Sequence, residues 1–262
     1  MEEARSTAMP PIARITPEGI VVRGRDLTDV IGKLTFTEMM LLDLRGELPS
    51  PAEVRAVDAV MVTIMEHGVT PSSLTTRLVL DGAPESLQGA IAAGLLATGS
   101  RFLGVIEEAA ETLDAIVAAA AGGDLAAAAD SAAADCLAEG GHLPGFGHHI
   151  HRDGDPRVAV LRGIATEEKL PGTYFAALDA LAAAAARRGR KVPINAAGAV
   201  AALLREVDLP AAGMRGFALV ARCAGLFAHA LDERRSPSVR GAWTALEREM
   251  AATEDREEAE SR

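Results

Sequence analysis

Aromatic side chains are almost missing from this sequence: six Phe, one Tyr and one Trp make up 3% of 262 residues. Any core must therefore be built from Ala, Leu, Val and Met, which favours packed helices over a sheet, because strand interiors draw on β-branched and aromatic residues. Cysteine is as scarce. Cys136 and Cys223 lie in apolar contexts without a CxxC partner, which excludes a disulfide-stapled miniprotein and reads as buried reduced thiols. Positive charge is in deficit, with 26 Lys and Arg against 37 Asp and Glu and a net charge of −11. That balance argues against a nucleic-acid partner, whose phosphates are met by clustered cations. Long apolar runs are absent too. No segment approaches the ~20 uninterrupted apolar residues of a membrane span, and the start, MEEARSTAMPP, has no apolar signal core. No membrane partner is expected, and the cytoplasm is the expected compartment.

What is present is helical punctuation. Thr35 with Glu38, and Ser50 with Pro51 and Glu53, spell two capping boxes. Val54, Val57, Met61 and Ile64 recur at spacings of three and four, one apolar stripe on a helix that should stop near His67-Gly68. Gly89, Ala93 and Ala97 form a small-residue ridge against which another helix can approach closely. The Ala-rich stretches 115–121, 125–134 and 180–186 read as helices. Asp155-Pro156 and Thr173 mark further starts, and 213–233 reads as one long helix. Gly19 to Arg23 is the one candidate strand. Residues 1–18 read as a loose arm and 251–262 as a solvated charged tail.

Four of the six histidines fall between His142 and His151, in GGHLPGFGHHIHRDGDPR. Pro144, Gly145 and Gly147 make an irregular loop whose backbone can come close to a ligand. One reading is a metal site of His148, His149 and His151, but no HExxH or carboxylate at ligand spacing accompanies them, so no metal is expected. The others are a carbonyl-polarising His148 with Arg157 gripping a carboxylate, or plain surface loop residues. The window alone leaves these two open.

Gly145-Phe146-Gly147-His148, a short spacer and Asp155-Pro156-Arg157 together resemble the citrate synthase superfamily. There such a loop supplies a carbonyl-polarising His and a carboxylate-binding Arg. Residues 19–50 are similar to that family's N-terminal segment, and EHGVTPSSLTTR resembles its His-containing turn, which puts His67 where a second keto-acid-binding His is expected. ALVARCAGLFAHALDERRSP resembles the helix carrying another carboxylate-binding Arg, here Arg222, while Arg235 matches an arginine that reaches across a homodimer. Independently of the resemblance, Arg222 has apolar neighbours and shares a helix face with His229, which points to a buried or cleft role.

Two positions depart from the family pattern. Citrate synthases carry Gly-Pro-Leu-His-Gly-Gly, whose His donates to the thioester oxygen; the matching stretch is Gly99-Ser100-Arg101-Phe102-Leu103-Gly104, with Phe102 in place of the His. An Arg-Phe pair at this place resembles the citryl-CoA lyases and the C-terminal lyase module of ATP-citrate lyase. The family's acid/base Asp is matched by Ala197, within Ile194-Asn195-Ala196-Ala197-Gly198. Alanine cannot move a proton. Cleavage needs a group that takes the tertiary hydroxyl proton, for which His148 is the candidate, and an acid for the departing carbon. His142, His149, His151 and bound water are open for the second task. Arg101 and Arg152 are candidates for the coenzyme A phosphates or for plain surface charge, and Gly145, Phe146 and Gly147 are expected on the coenzyme side.

The resemblance implies an all-α, citrate-synthase-like fold: a large helical domain from 1–104 and 208–262, a small helical domain at 105–207, and a site in the cleft between them. The function it implies is a coenzyme A-dependent carbon–carbon lyase that yields acetyl-CoA and a keto acid such as oxaloacetate from a citryl-CoA-like substrate. The alternatives are action on a different 3-hydroxyacyl-CoA, condensation instead of cleavage, or a silent coenzyme A or dicarboxylate binder.

Overall fold

The structure is a computed structural model, described for residues 11–121, 123–138, 142–147, 152 and 154–260. Chain order begins with three short strands, β1 (Ala13–Thr16), β2 (Gly19–Val22) and β3 (Arg25–Asp26). The helices follow: α1 (Leu27–Val30), α2 (Phe36–Arg45), α3 (Pro51–Met65), α4 (Pro71–Gly82), α5 (Leu87–Leu96), α6 (Val105–Ala119), α7 (Leu125–Ala138), α8 (Pro156–Glu167), α9 (Thr173–Arg187), α10 (Ala196–Glu206), α11 (Met214–Arg235) and α12 (Val239–Glu260). A π-helical turn, Gly99–Gly104, leads into α6. The all-α expectation holds, with the small sheet as an N-terminal addition.

Both capping boxes form. Thr35 and Ser50 each accept from the backbone N–H of the residue three further on, while Glu38 and Glu53 reach back to the cap N–H groups. Three readings need correction. The arm contains β1, which pairs antiparallel with β2, and Arg23-Gly24, both at positive φ, turn β2 into β3. Turn chemistry makes this sheet, because β1 has no buried face that alternation in the sequence would reveal. Residues 251–260 of the expected tail are the end of α12, where Ala, Glu, Arg and Met are strong helix formers. On α5 the close-packing face is Ala90 and Gly94, one residue on from the expected ridge; a Cβ on Gly94 would strike the Thr76 hydroxyl and lie 2.8 Å from Leu226 Cδ1.

At the centre lies α10, buried along almost its whole length, with α3, α6, α8 and α9 around it. One apolar cluster joins Leu41, Val57, Leu113, Leu161, Leu178, Leu203 and Met214, so the three expected segments share a core. Buried Glu206 at the end of α10 accepts the N–H groups of Gly172, Tyr174 and Phe175 and so caps α9. Cys136 and Cys223 are half-buried. By length and hydropathy Ala211–Arg235 is the one stretch among the described residues that would suffice to cross a membrane; its buried face packs on α3, α4 and α5.

Candidate functional site

The site begins where α3 ends. Glu66 leaves the helix in extended backbone, Gly68 takes the left-handed conformation, and Thr70 opens α4 with its own capping box to Ser73. His67, Val69, Thr70, Pro71 and Ser72 of this turn form one rim of a cavity of about 730 Å³. The facing wall is Ala97, Thr98, Phe102 and Leu103, carried by the π-helical turn, and Ile106 of α6. Such turns recur at functional sites because they re-aim side chains out of a helix. Thr63 and Ile64 near the end of α3, Arg157 from the first turn of α8, Asn195, Ala196 and Ala197 at the start of α10, and Arg222 from mid-α11 complete the lining.

The cavity thus gathers His67, Phe102, Arg157, Ala197 and Arg222 from five separate stretches of chain. Arg222 is the most constrained of them. It is 8% exposed, donates from Nη2 to the Ile64 carbonyl at 3.0 Å, and has no acceptor for its Nε and no ion pair among the described residues. Burial pushes this guanidinium below the usual arginine range, and the field of Glu66 opposes the shift. A buried guanidinium with an unpartnered N–H on a cavity wall favours a hydrogen-bond acceptor there.

Arg157 is held differently. Its Nε and Nη2 donate bidentately to Asp155 at 2.9 and 2.7 Å. The Asp155 side chain, fully buried, also caps α8 through the Arg157 N–H and accepts the Ala196 N–H at 3.0 Å. Burial alone would raise the Asp155 carboxyl, but the Arg157 and Ala196 donors bring it down to about 2. One carboxylate therefore fixes both Arg157 and the turn that carries Ala197. The sequence presented Asp155 as a helix start and as part of the Asp-Pro-Arg motif; its hold on the Ala196 N–H depends on α10 arriving beside it.

Gly145, Phe146 and Gly147 do not line the cavity. Gly145 packs against Gly198 so closely that a Cβ would lie 2.7 Å from the Gly198 Cα, Phe146 is buried and bridges to Ile194, and Gly147 exchanges hydrogen bonds with Pro193 and Asn195. Gly145 serves close packing on the start of α10, whereas Gly147 has open space around its missing Cβ and serves a left-handed backbone turn, φ +77°. Arg235 sits at the exposed end of α11, 3.9 Å from Asp232, and Arg152 is exposed; neither reaches the cavity. His142 is exposed, 3.9 Å from Glu108. His148, His149, His151 and the Arg101 side chain lie outside the described residues. Among the described residues no group of three or more His, Cys, Asp or Glu is arranged to hold a metal.

Helices thus enclose a cavity whose lining includes His67, Arg157 and Arg222. Residues 8–242 match the family model described as citrate synthase, C-terminal domain, and the chain belongs to the citrate synthase family. The structure of citryl-CoA lyase from Hydrogenobacter thermophilus is similar at 30% identity and TM-score 0.77, with 87% of each chain covered. ATP citrate lyase from Methanothrix soehngenii, in complex with citrate and coenzyme A, shares the fold at 21% identity and TM-score 0.73, covering 88% of this chain and 39% of that one. "Putative citrate synthase 2" of Mycobacterium tuberculosis is 31% identical over 212 residues, 77% of this chain. The chain spans about half the length of that curated relative, 53%.

Proposed function

We propose that this protein is a coenzyme A-dependent carbon–carbon lyase of the citryl-CoA lyase type, releasing acetyl-CoA and a keto acid such as oxaloacetate. The observation that carries the reading is Arg222, a buried cation without an ion pair among the described residues, sharing one cavity with His67 and Arg157. A carboxylate of the substrate would satisfy the Arg222 Nε and gain charge-assisted hydrogen bonds in a site of low dielectric. Arg157 holds a second carboxylate with the donors that Asp155 leaves, and His67 donates to the keto oxygen as it forms. His148 accepts the proton of the tertiary hydroxyl. The carbon–carbon bond then breaks, its electron pair passes to the carbon next to the thioester, and a proton converts that enolate to acetyl-CoA. Ala197 cannot supply this proton, so we assign it to a water, whose hydroxide then takes back the proton held by His148. Likeness to the citryl-CoA lyase of Hydrogenobacter thermophilus supports the choice of substrate. The protein is taken as a homodimer, in which Arg235 serves the neighbouring copy.

A second reading, a coenzyme A or dicarboxylate binder without turnover, is favoured by Phe102 and Ala197, apolar side chains on the cavity wall where proton-moving groups are expected. Incubation with citryl-CoA, followed through keto acid release, separates the readings. Release supports the lyase, whereas tight binding without release supports the binder.

A further inference from the structure

A chain of polar contacts lies behind the His67 turn, outside the cavity. Glu66 Oε1 accepts the backbone N–H groups of His67 at 2.8 Å and Gly68 at 2.7 Å, and His229 Nε2 of α11 stands 3.0 Å from the same oxygen. On the other side of the ring, His229 Nδ1 lies 3.1 Å from Arg77 Nε and 2.9 Å from Arg77 Nη2. A guanidinium only donates, so Nδ1 must accept and the ring proton resides on Nε2, directed at Glu66. Arg77 is itself locked. Its Nη1 donates to Glu233 at 2.6 Å and its Nη2 to Asp232 at 2.8 Å. Buried Glu233 in turn accepts the N–H groups of Ser238 and Val239, which start α12.

The tautomer is therefore set by three helices, and its one free donor is spent on Glu66, a side chain 49% exposed that would otherwise sample several rotamers. Glu66 carries the backbone of the His67 turn, accepting from the His67 and Gly68 N–H groups. We propose that His229 is a positioning residue: through its Nε2–H it fixes Glu66, and through Glu66 the backbone of the His67 turn on the cavity rim. A plain structural staple would need only the Arg77 side of the ring. The positioning role needs the Nε2 side.

Two substitutions separate those sides. In His229→Gln the amide nitrogen reaches the Nε2 position and donates to Glu66; in His229→Asn the side chain ends at the Nδ1 level, so its oxygen can accept from Arg77 while its shorter amide N–H2 stops short of Glu66. Amide hydrogen exchange of His67 and Gly68 in the ligand-free full chain reads the effect directly. The Gln variant is expected within about twofold of wild type and the Asn variant at least about fivefold faster, with equal melting temperatures. Long-range nitrogen–proton NMR of the wild type is expected to find the proton on Nε2. Equal exchange in the two variants, or a proton on Nδ1, overturns the proposal. The effect on ligand rests on the lyase reading above: oxaloacetate affinity should fall about tenfold in Asn and stay within about threefold in Gln. A wild type that does not bind oxaloacetate contradicts that reading, while exchange and tautomer still decide the role of His229.

Discussion

Gly225 and Met65 meet backbone against backbone: a Cβ on Gly225 would strike the Met65 carbonyl and come within 3.2 Å of Glu66 Oε2. This contact seats α11 on the end of α3. One turn to either side it brings Arg222 to the Ile64 carbonyl and His229 to Glu66.

Gly225→Ala is accordingly expected to destabilise the protein. Overpacking costs about 1–3 kcal/mol, against which the helix-propensity gain of Ala over Gly returns about 1 kcal/mol at most. Urea unfolding should show a lower midpoint at unchanged slope. An unchanged or raised midpoint would mean that α11 is free to move away from α3.

Arg222→Met is expected to separate binding from stability. The thioether fills the volume without a charge or an orphan N–H, so the melting temperature should hold or rise. Affinity for oxaloacetate should fall about tenfold to a hundredfold, from the loss of charged hydrogen bonds worth ~1.5–3 kcal/mol. Calorimetric titration beside thermal unfolding checks both. Loss of stability with intact binding would remove Arg222 from the site.

Arg157→Ala should behave otherwise, because it leaves the buried Asp155 carboxylate without its bidentate partner. Sequence alone suggests a change in binding without unfolding. The ion pair adds a stability loss of about 1–3 kcal/mol, less than for a fully buried pair because the Arg157 side chain is 28% exposed. Unfolding of this variant at neutral pH, compared with wild type, measures the difference.

The same carboxylate predicts an acid limb. Asp155 has a folded-state pKa of about 2, below its usual 3.8, so it stabilises the fold above about pH 4, and this contribution is lost as pH falls through 2. A shift of this size corresponds to roughly 2 kcal/mol. Asp155→Asn keeps a capping oxygen but no charge. Its stability should be lower at pH 7 and converge on wild type near pH 2; a constant gap across this range would contradict the assignment.

The residues differed in how legible they were. Caps and apolar stripes are local, so α2 and α3 could be read directly from Thr35, Glu38, Ser50 and Glu53. His67, Arg157 and Arg222 were reachable through motifs that are contiguous in sequence. Asp155, Glu66 and His229 were not assigned, because each acquires its role from a partner 41, 163 and 163 residues away. Gly94 was misjudged for a related reason: a helix rich in Ala and Gly offers several small-residue faces, and it is Thr76, Leu226 and the Ser72 carbonyl that choose between them. The Gly145-Phe146-Gly147 loop shows the converse. Its glycines stood out, yet Gly145 answers to Gly198.

Ala197→Asp tests whether the missing acid matters. The position lies in the first turn of α10, where a carboxylate is favoured by the helix dipole, so the fold should tolerate it. If water already supplies the proton, cleavage of citryl-CoA should change by less than about tenfold. A gain of ~10²–10⁴ from a near-zero baseline, the usual contribution of a general acid, would instead identify the wild type as a binder.

The most direct measurement is single-turnover cleavage of citryl-CoA by the wild-type protein in excess over substrate, with oxaloacetate release followed in parallel for Arg222→Met. The lyase account predicts stoichiometric release by wild type and strongly slowed release by the variant. Citryl-CoA that stays bound and intact on the wild-type protein would contradict it.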